Sequence, residues 1–517
     1  MPRLMKAADR RCVATLILLF ILTVAVAPVA VAAEWPAWRA DAMRSGATTD
    51  ALSQDLHLQW VREFPALEPA WPDEPRMRFD VAYEPIVAGG TLFVASPRAD
   101  RVSAFDAASG EHRWDFFAGG PVRFAPTVRE GRVFFGSDDG YLYCVDAADG
   151  SLRWKFQACP SDRLVLGNTR LISTWPVRGA PVVADGTVYF AAGIWPFMGV
   201  FIYALDAETG SVVWVNDGQG AAYTDQPHGG AIAFGSVAPQ GYMAVSGDRL
   251  VISNGRATPA VFDRNTGEMR YFHLADNQKI GDSVVSVTSE LFFNDGHAYP
   301  LATGEPSAAM GLAPVHSGEA VYTVEDGKVV AWASTGAEEE KYQDSKGAER
   351  TRLKLRSLWR SDVVAGRVHA LAGNTLLCSD GSRISALKLS DTEPRAQEVW
   401  SEELPDEPEA MAVADGRLFV STLAGRLLCY GPEEVEARSY ALEPPAEAPL
   451  NEEASRAAAI LEQTGVRDGY AVCLGVRSGR LIEALVRQSQ LHVIGIDADE
   501  ALIDRLRRRL DASGLYG

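Results

Sequence analysis

The run Ala104-Phe105-Asp106-Ala107-Ala108-Ser109-Gly110, with Trp114 four residues on, decides how this chain is read. It returns as Cys144-Val145-Asp146-Ala147-Ala148-Asp149-Gly150 with Trp154, and as Ala204-Leu205-Asp206-Ala207-Glu208-Thr209-Gly210 with Trp214. A fourth copy, Val261-Phe262-Asp263-Arg264-Asn265-Thr266-Gly267, ends in Tyr271. Each copy follows short alternating apolar runs, such as 131–137 and 140–143, broken by Gly and Asp. Four strands per unit, at a period of roughly 40 residues, predict the blades of a propeller. The Asp is placed to accept turn amides, the Gly supplies a positive φ, and the Trp offers a broad face to the next unit. These residues are therefore read as structural, not catalytic.

Weaker units continue at 284–304, 314–332, 363–400 and 411–430. First-strand signals at Pro85, Pro126, Pro181, Met243, Val284, Pro314, Val364 and Val413 number eight, so the expected fold is mainly β, an eight-bladed β-propeller over 56–430. The last unit lacks an outer strand, whereas 56–64, with Trp60, is a strand without inner partners. The N-terminal strand is expected to complete the final blade and leave no free sheet edge. Residues 337–352, rich in Glu and Lys, read as a solvated loop.

The unit Asp206, Thr209, Gly210, Trp214 resembles the repeat of pyrroloquinoline-quinone (PQQ)-type, quinoprotein-like propellers, over about residues 56–430. Trp35-Pro36-Ala37-Trp38-Arg39 to Gly46 is similar to the leading segment of exported propellers in that group. The resemblance implies a fold more than a chemistry. Quinoprotein alcohol dehydrogenases of similar fold add a disulfide between adjacent cysteines, calcium ligands and an Asp base. No Cys-Cys pair occurs here. The expectation is a non-catalytic binding or scaffold module without PQQ or metal, and a quinone-dependent dehydrogenase is the alternative. A protein or small-molecule ligand is expected on a propeller face, near the irregular stretches 175–178, 194–197, 223–230 and 239–241, with Arg178, His228 and Arg256 as its polar candidates.

Residues 1–33 read as a signal peptide: four basic residues, an apolar run over 13–26, and Val31-Ala32-Ala33 as cleavage site. Export follows, to the periplasm or beyond, with an uncleaved membrane anchor as the alternative. A formal net charge of −19 excludes nucleic-acid binding by charge neutralisation. Beyond Cys12, the chain carries Cys144, Cys159, Cys378, Cys429 and Cys473, whose spacing gives neither a disulfide framework nor a zinc pattern. A Cys144–Cys159 bridge stays open.

The remaining organisation is a leading segment over 34–55, an acidic Pro/Ala linker over 431–451 and an α/β piece over 452–517. Its order is a helix capped by Asn451, a strand at 470–474, a glycine turn at 475–479, a helix, a strand at 491–496 ending in Asp497, and a last helix over 498–512. This partial Rossmann-like segment resembles the opening of a class I S-adenosylmethionine (SAM)-dependent methyltransferase, which implies Gly475, Gly479 and Asp497 as cofactor-binding residues. Cys473 and Arg477 stand where that family has an acid and a glycine. Two strands are too few for the sheet, so methylation is expected only of a longer parent protein.

Overall fold

Strands whose side chains alternate between two packed faces are buried throughout. Leu92, Phe93, Val133 and Phe134, all on second strands, are fully inaccessible. The structure, a computed structural model, describes residues 34–226, 231–274, 280–442 and 452–517. It is a mainly β propeller with a small α/β piece.

The first sheet is Ile86–Ala88, Thr91–Ser96, Arg101–Asp106 and His112–Phe117, and the second Thr127–Arg129, Arg132–Gly136, Tyr141–Asp146 and Leu152–Gln157. Two four-strand groups, 177–216 and 241–271, join by a parallel contact of their first strands, Val177–Ala184 and Gly241–Ser246. Sheets over 286–309, 315–364 and 367–403 follow. In the last sheet Pro408–Ala414, Arg417–Thr422 and Arg426–Gly431 are completed by His57–Glu63, antiparallel to Arg426–Gly431.

The repeated residues explain how the sheets lock together. In each turn the Asp accepts backbone amides: Asp106 from Ser109 (2.7 Å), Asp146 from Ala148 (2.8 Å), Asp206 from Thr209 (2.8 Å). The Gly that follows sits under the aromatic residue of the preceding sheet. A Cβ on Gly110 would lie 2.8 Å from Trp60, on Gly150 2.6 Å from Trp114, on Gly210 2.8 Å from Trp154, and on Gly267 2.5 Å from Trp214. Each indole also donates across the junction, Trp60 to the Ala107 carbonyl (3.1 Å) and Trp154 to that of Glu208 (3.1 Å). Trp60 thus joins the last sheet to the first.

Three local expectations are corrected. Residues 337–352 are not a loop: Glu338–Gln343 and Glu349–Lys354 form an exposed hairpin, held by cross-strand pairs such as Lys341–Glu349 (2.9 Å) and Arg352–Glu340 (2.6 Å). Val364 ends the outer strand Ser357–Val364 of one sheet, and the next begins at Arg367–Ala372. Within 431–451, Arg438–Tyr440 adds a fifth strand beside His57–Glu63, because the Arg62 guanidinium lies between the rings of Phe105 and Tyr440, 4.4 Å from each.

The α/β piece comprises α1 (Glu452–Thr464), strand Asp468–Leu474, α2 (Arg480–Gln488), strand Gln490–Ile496 and α3 (Glu500–Ala512), its two strands parallel and in register. It rests on the first sheet: Tyr516 donates to Asp100 (2.6 Å), Arg507 to the Ala118 carbonyl (2.8 Å), and Asp511 pairs with Arg101. The signal segment, His228 and Asn451 lie outside the described residues.

Candidate functional site

Antiparallel order brings the approach to each first strand and the turn between second and third strands to the same end of the propeller axis. The opposite end is filled by the leading segment. Its carbonyls accept in turn from successive first strands: Pro36 from Val128 (2.6 Å), Ala42 from Val245 (2.8 Å), Met43 from Val287 (2.9 Å), Ser45 from His316 (2.9 Å) and Gly46 from Leu371 (2.8 Å). Arg44, wholly buried, ties it down by donating to the carbonyls of Met243 (2.8 Å) and Pro181 (3.1 Å).

At the first end the connection from the last sheet to the first, residues 65–83, passes over the axis. Trp71 donates to Gln240 (3.0 Å), the Arg76 carbonyl accepts from Ser283 (3.0 Å), and Met77 lies against Gly255. Beneath it an aromatic column spans the two ends. Phe79 stacks on Phe124 (4.7 Å), Phe124 meets the edge of Tyr242 (5.2 Å), and Tyr242 stacks on Trp38 of the leading segment (3.7 Å, 5°).

Beside the column lies a buried charge network. Arg123 donates to Asp138 (2.6 Å) and Asp80 (2.5 Å), and Arg178 grips Asp138 through Nε (3.0 Å) and Nη2 (2.9 Å). Arg178 Nη2 also reaches Asn168 (2.9 Å), whereas its Nη1 is buried without a partner. Burial works against the Asp138 carboxylate, yet Arg178 and Arg123 together outweigh it and hold the group below the usual carboxylate range. For Asp80 burial wins, and its carboxyl is lifted. An unsatisfied buried guanidinium nitrogen costs free energy, and Arg178 Nη1 shares that state with other buried groups such as Tyr299 OH and His316 Nε2.

Two further carboxyls at this end are poised near neutrality. Burial, reinforced by Asp295, pushes Asp282 up to about 7, while the Val284 amide (2.8 Å) and the Asn294 side chain (2.8 Å) donate to it. It lines a cleft of about 10 Å³ with Asn294, Asp295 and His297, close to the room one water needs. Burial, then Glu409, pushes Glu84 up to about 7.

Of the residues singled out from sequence, Arg178 belongs to the charge network. Arg256 stands at the lip, its side chain 67% exposed, paired with Glu74 (3.1 Å). Arg123, Asp80, Asp138 and Asp282 were not singled out; the visible signal was charged residues directly before or within inner-strand turns. Cys144, Cys159, Cys378, Cys429 and Cys473 are all free thiols. Among the described residues no three of His, Cys, Asp and Glu gather as a metal site.

The residues expected from sequence to hold SAM all lie in and beside the turn between the first strand of the α/β piece and α2. Gly475 and Gly479 have positive φ (76° and 69°), as a tight turn requires. Asp497 accepts from the amides of Val476 (2.9 Å) and Asp499 (3.0 Å) and so braces the turn and the start of α3.

Comparison with known proteins points to the propeller. The family model described as outer membrane protein assembly factor BamB matches residues 38–335, and none of the α/β piece. The chain is 32% identical over 142 residues to the dehydrogenase subunit of alcohol dehydrogenase (quinone) from Gluconobacter oxydans, 25% of this chain and 18% of that protein. It is 31% identical over 160 residues to methanol dehydrogenase [cytochrome c] subunit 1 from Methylobacterium organophilum, 28% of this chain and 23% of that protein. These matches span less than a quarter of either relative. Quinohemoprotein alcohol dehydrogenase from Comamonas testosteroni shares the fold, with a TM-score of 0.50 at 15% identity over 83% of this chain and 85% of that one. The expectation against PQQ is overturned by these relatives, one of which carries the quinone in its name. The absence of an adjacent cysteine pair was too narrow a criterion.

Proposed function

The chain belongs to the family of outer membrane protein assembly factor BamB, and from that premise we propose that it is an exported, eight-bladed propeller that takes an acidic, planar quinone of the PQQ type at the Arg123–Arg178 end of its axis and oxidises an alcohol there. Eight four-strand groups over about residues 56–430, with 34–55 along the axis and 452–517 as a Rossmann-like appendage, support the architecture. No described helix is long and apolar enough to cross a membrane.

The observation that carries the reading is the buried Arg178, whose Nη1 has no partner, joined through Asp138 to Arg123, the neighbour in sequence of the stacked Phe124. The residue types suit such a group in kind: a guanidinium would pair with a ligand carboxylate, and an aromatic face would pack on a flat ring system once the present stack of Phe79 on Phe124 opened. When bound, the quinone supplies a two-electron acceptor. Asp282, its carboxyl pushed up to about 7, would take the hydroxyl proton by way of the one water its cleft admits. Arg123 and Asp138 hold Arg178 in place.

A second reading, a binding module without catalysis, is favoured by residues 65–83, which close the axis over the aromatic column. The two separate on one experiment. Full-length protein is titrated with PQQ, followed by fluorescence quenching, and then assayed for dye reduction with primary alcohols. Saturable binding weakened at least tenfold by R178L, together with turnover lost in D282N while binding persists, is expected. Absence of both binding and turnover would leave the binding module.

A further inference from the structure

The α/β piece contains a feature that the propeller reading does not use. Between α1, α2 and α3 lies an open concavity of about 520 Å³, lined by the exposed side chains of Arg477, Arg480, Arg505 and Arg509 with Ser478. Four guanidiniums on one concavity stand out in a chain of net charge −19. Two carboxylates line it as well, Glu452 and Glu453. Glu453 is engaged by Arg456 on its own helix (3.3 Å), so the cavity keeps an excess of positive charge.

Arg509 donates to the Ser478 carbonyl (2.7 Å). The side chains of Arg477, Arg480 and Arg505 make no hydrogen bond or ion pair among the described residues. Arg477 also holds a left-handed backbone, φ 49°, which side-chain-bearing residues resist. A glycine would relieve that turn, so the arginine there trades backbone comfort for a charge at the cavity wall. The first turn of α2 starts at Gly479, which carries no capping side chain and packs under Leu506. Unpaired guanidiniums are the donors that a multiply charged oxyanion requires, and Arg binds phosphate oxygens in a two-pronged fashion. The volume exceeds that of a single inorganic phosphate and suits a small ligand.

We propose that this cavity binds a phosphate-bearing anion, an oligophosphate or a phosphate ester, through Arg477, Arg480 and Arg505. The site is separate from Asp497, which does not line it. The same chemistry arises from a soluble phosphate compound or from a phospholipid headgroup, and one experiment distinguishes them. Inorganic pyrophosphate is titrated calorimetrically into the full chain, and the full chain is sedimented with phosphatidylcholine vesicles with and without phosphatidic acid. R480A/R505A is compared with R487A, which removes a charge from the same helix outside the cavity, where Arg487 pairs with Glu483 (3.2 Å). Pyrophosphate binding that falls at least tenfold in R480A/R505A but not in R487A supports a soluble ligand. Binding confined to phosphatidic acid vesicles, with the same mutational pattern, supports a headgroup. No binding of either, or equal loss in R487A, overturns the site; unchanged circular dichroism of both variants certifies the comparison.

Discussion

Asp282 shows how one residue can be both a candidate base and a burden on the fold. Its carboxyl titrates at about 7 in the folded chain, against an ordinary value of 3.8, because burial disfavours the charge. Between those values the folded state holds a proton that the unfolded state has released. Its contribution to stability is therefore complete below about pH 3.8 and is lost as the pH rises through about 7. D282N removes this share, leaving the like-signed share from Glu84. Thermal midpoints measured from about pH 4 to pH 8 should fall less steeply in D282N than in wild type. Parallel curves would show that Asp282 is not desolvated. Within the neighbouring network Asp138 shifts the other way, since Arg178 and Arg123 outweigh burial and hold its carboxylate below the usual range.

Among the elements, the junction between sheets is a ring lying on a glycine. Gly150 has φ 73° and no room for a Cβ under Trp114, whereas Gly186 has φ 75° and open space around it. Comparing the two separates backbone strain from steric exclusion. G186A should lose about 1 kcal/mol from the left-handed conformation alone. In G150A the displaced indole adds an overpacking penalty, for a total of about 2–4 kcal/mol. Equal midpoints in thermal unfolding would mean that the interlock adds nothing. This level of structure was legible in the sequence, because Asp, Gly and Trp of one repeat lie within nine residues and recur at constant spacing. The hairpin at 338–354 was not, since its strands are held by charge pairs rather than by an apolar period.

For the whole molecule, closure depends on residues far apart in the chain. His57–Glu63 completes the last sheet through Arg426–Gly431, and residues 35–48 bind first strands around the axis. Removing residues 34–63 exposes the edge of Arg426–Gly431 and empties one end of the axis. The truncated chain should associate or collapse into a polydisperse state, as seen by size-exclusion chromatography with light scattering. A monodisperse monomer with unchanged circular dichroism would contradict that role. The orphan strand around Trp60 already pointed to this closure, because a strand needs a partner for its backbone groups.

Repeat, strand order and closure could be read from the linear chain, since each sheet is built mainly from contiguous residues and local spacing carries the pattern. The site could not. Arg178 meets Asp138 across 40 positions and Arg123 meets Asp80 across 43, and no local pattern announces such pairs. Asp282 is an ordinary acid in the sequence and gains its raised pKa only from the neighbours that enclose it. Asp497 accepts from the amides of Val476 and Asp499, contacts that only the folded turn brings together. Backbone pairing is short-range and repetitive, hence written in the order of residues. Desolvation and charge pairing depend on what surrounds a group in space, and the packed chain alone settles that.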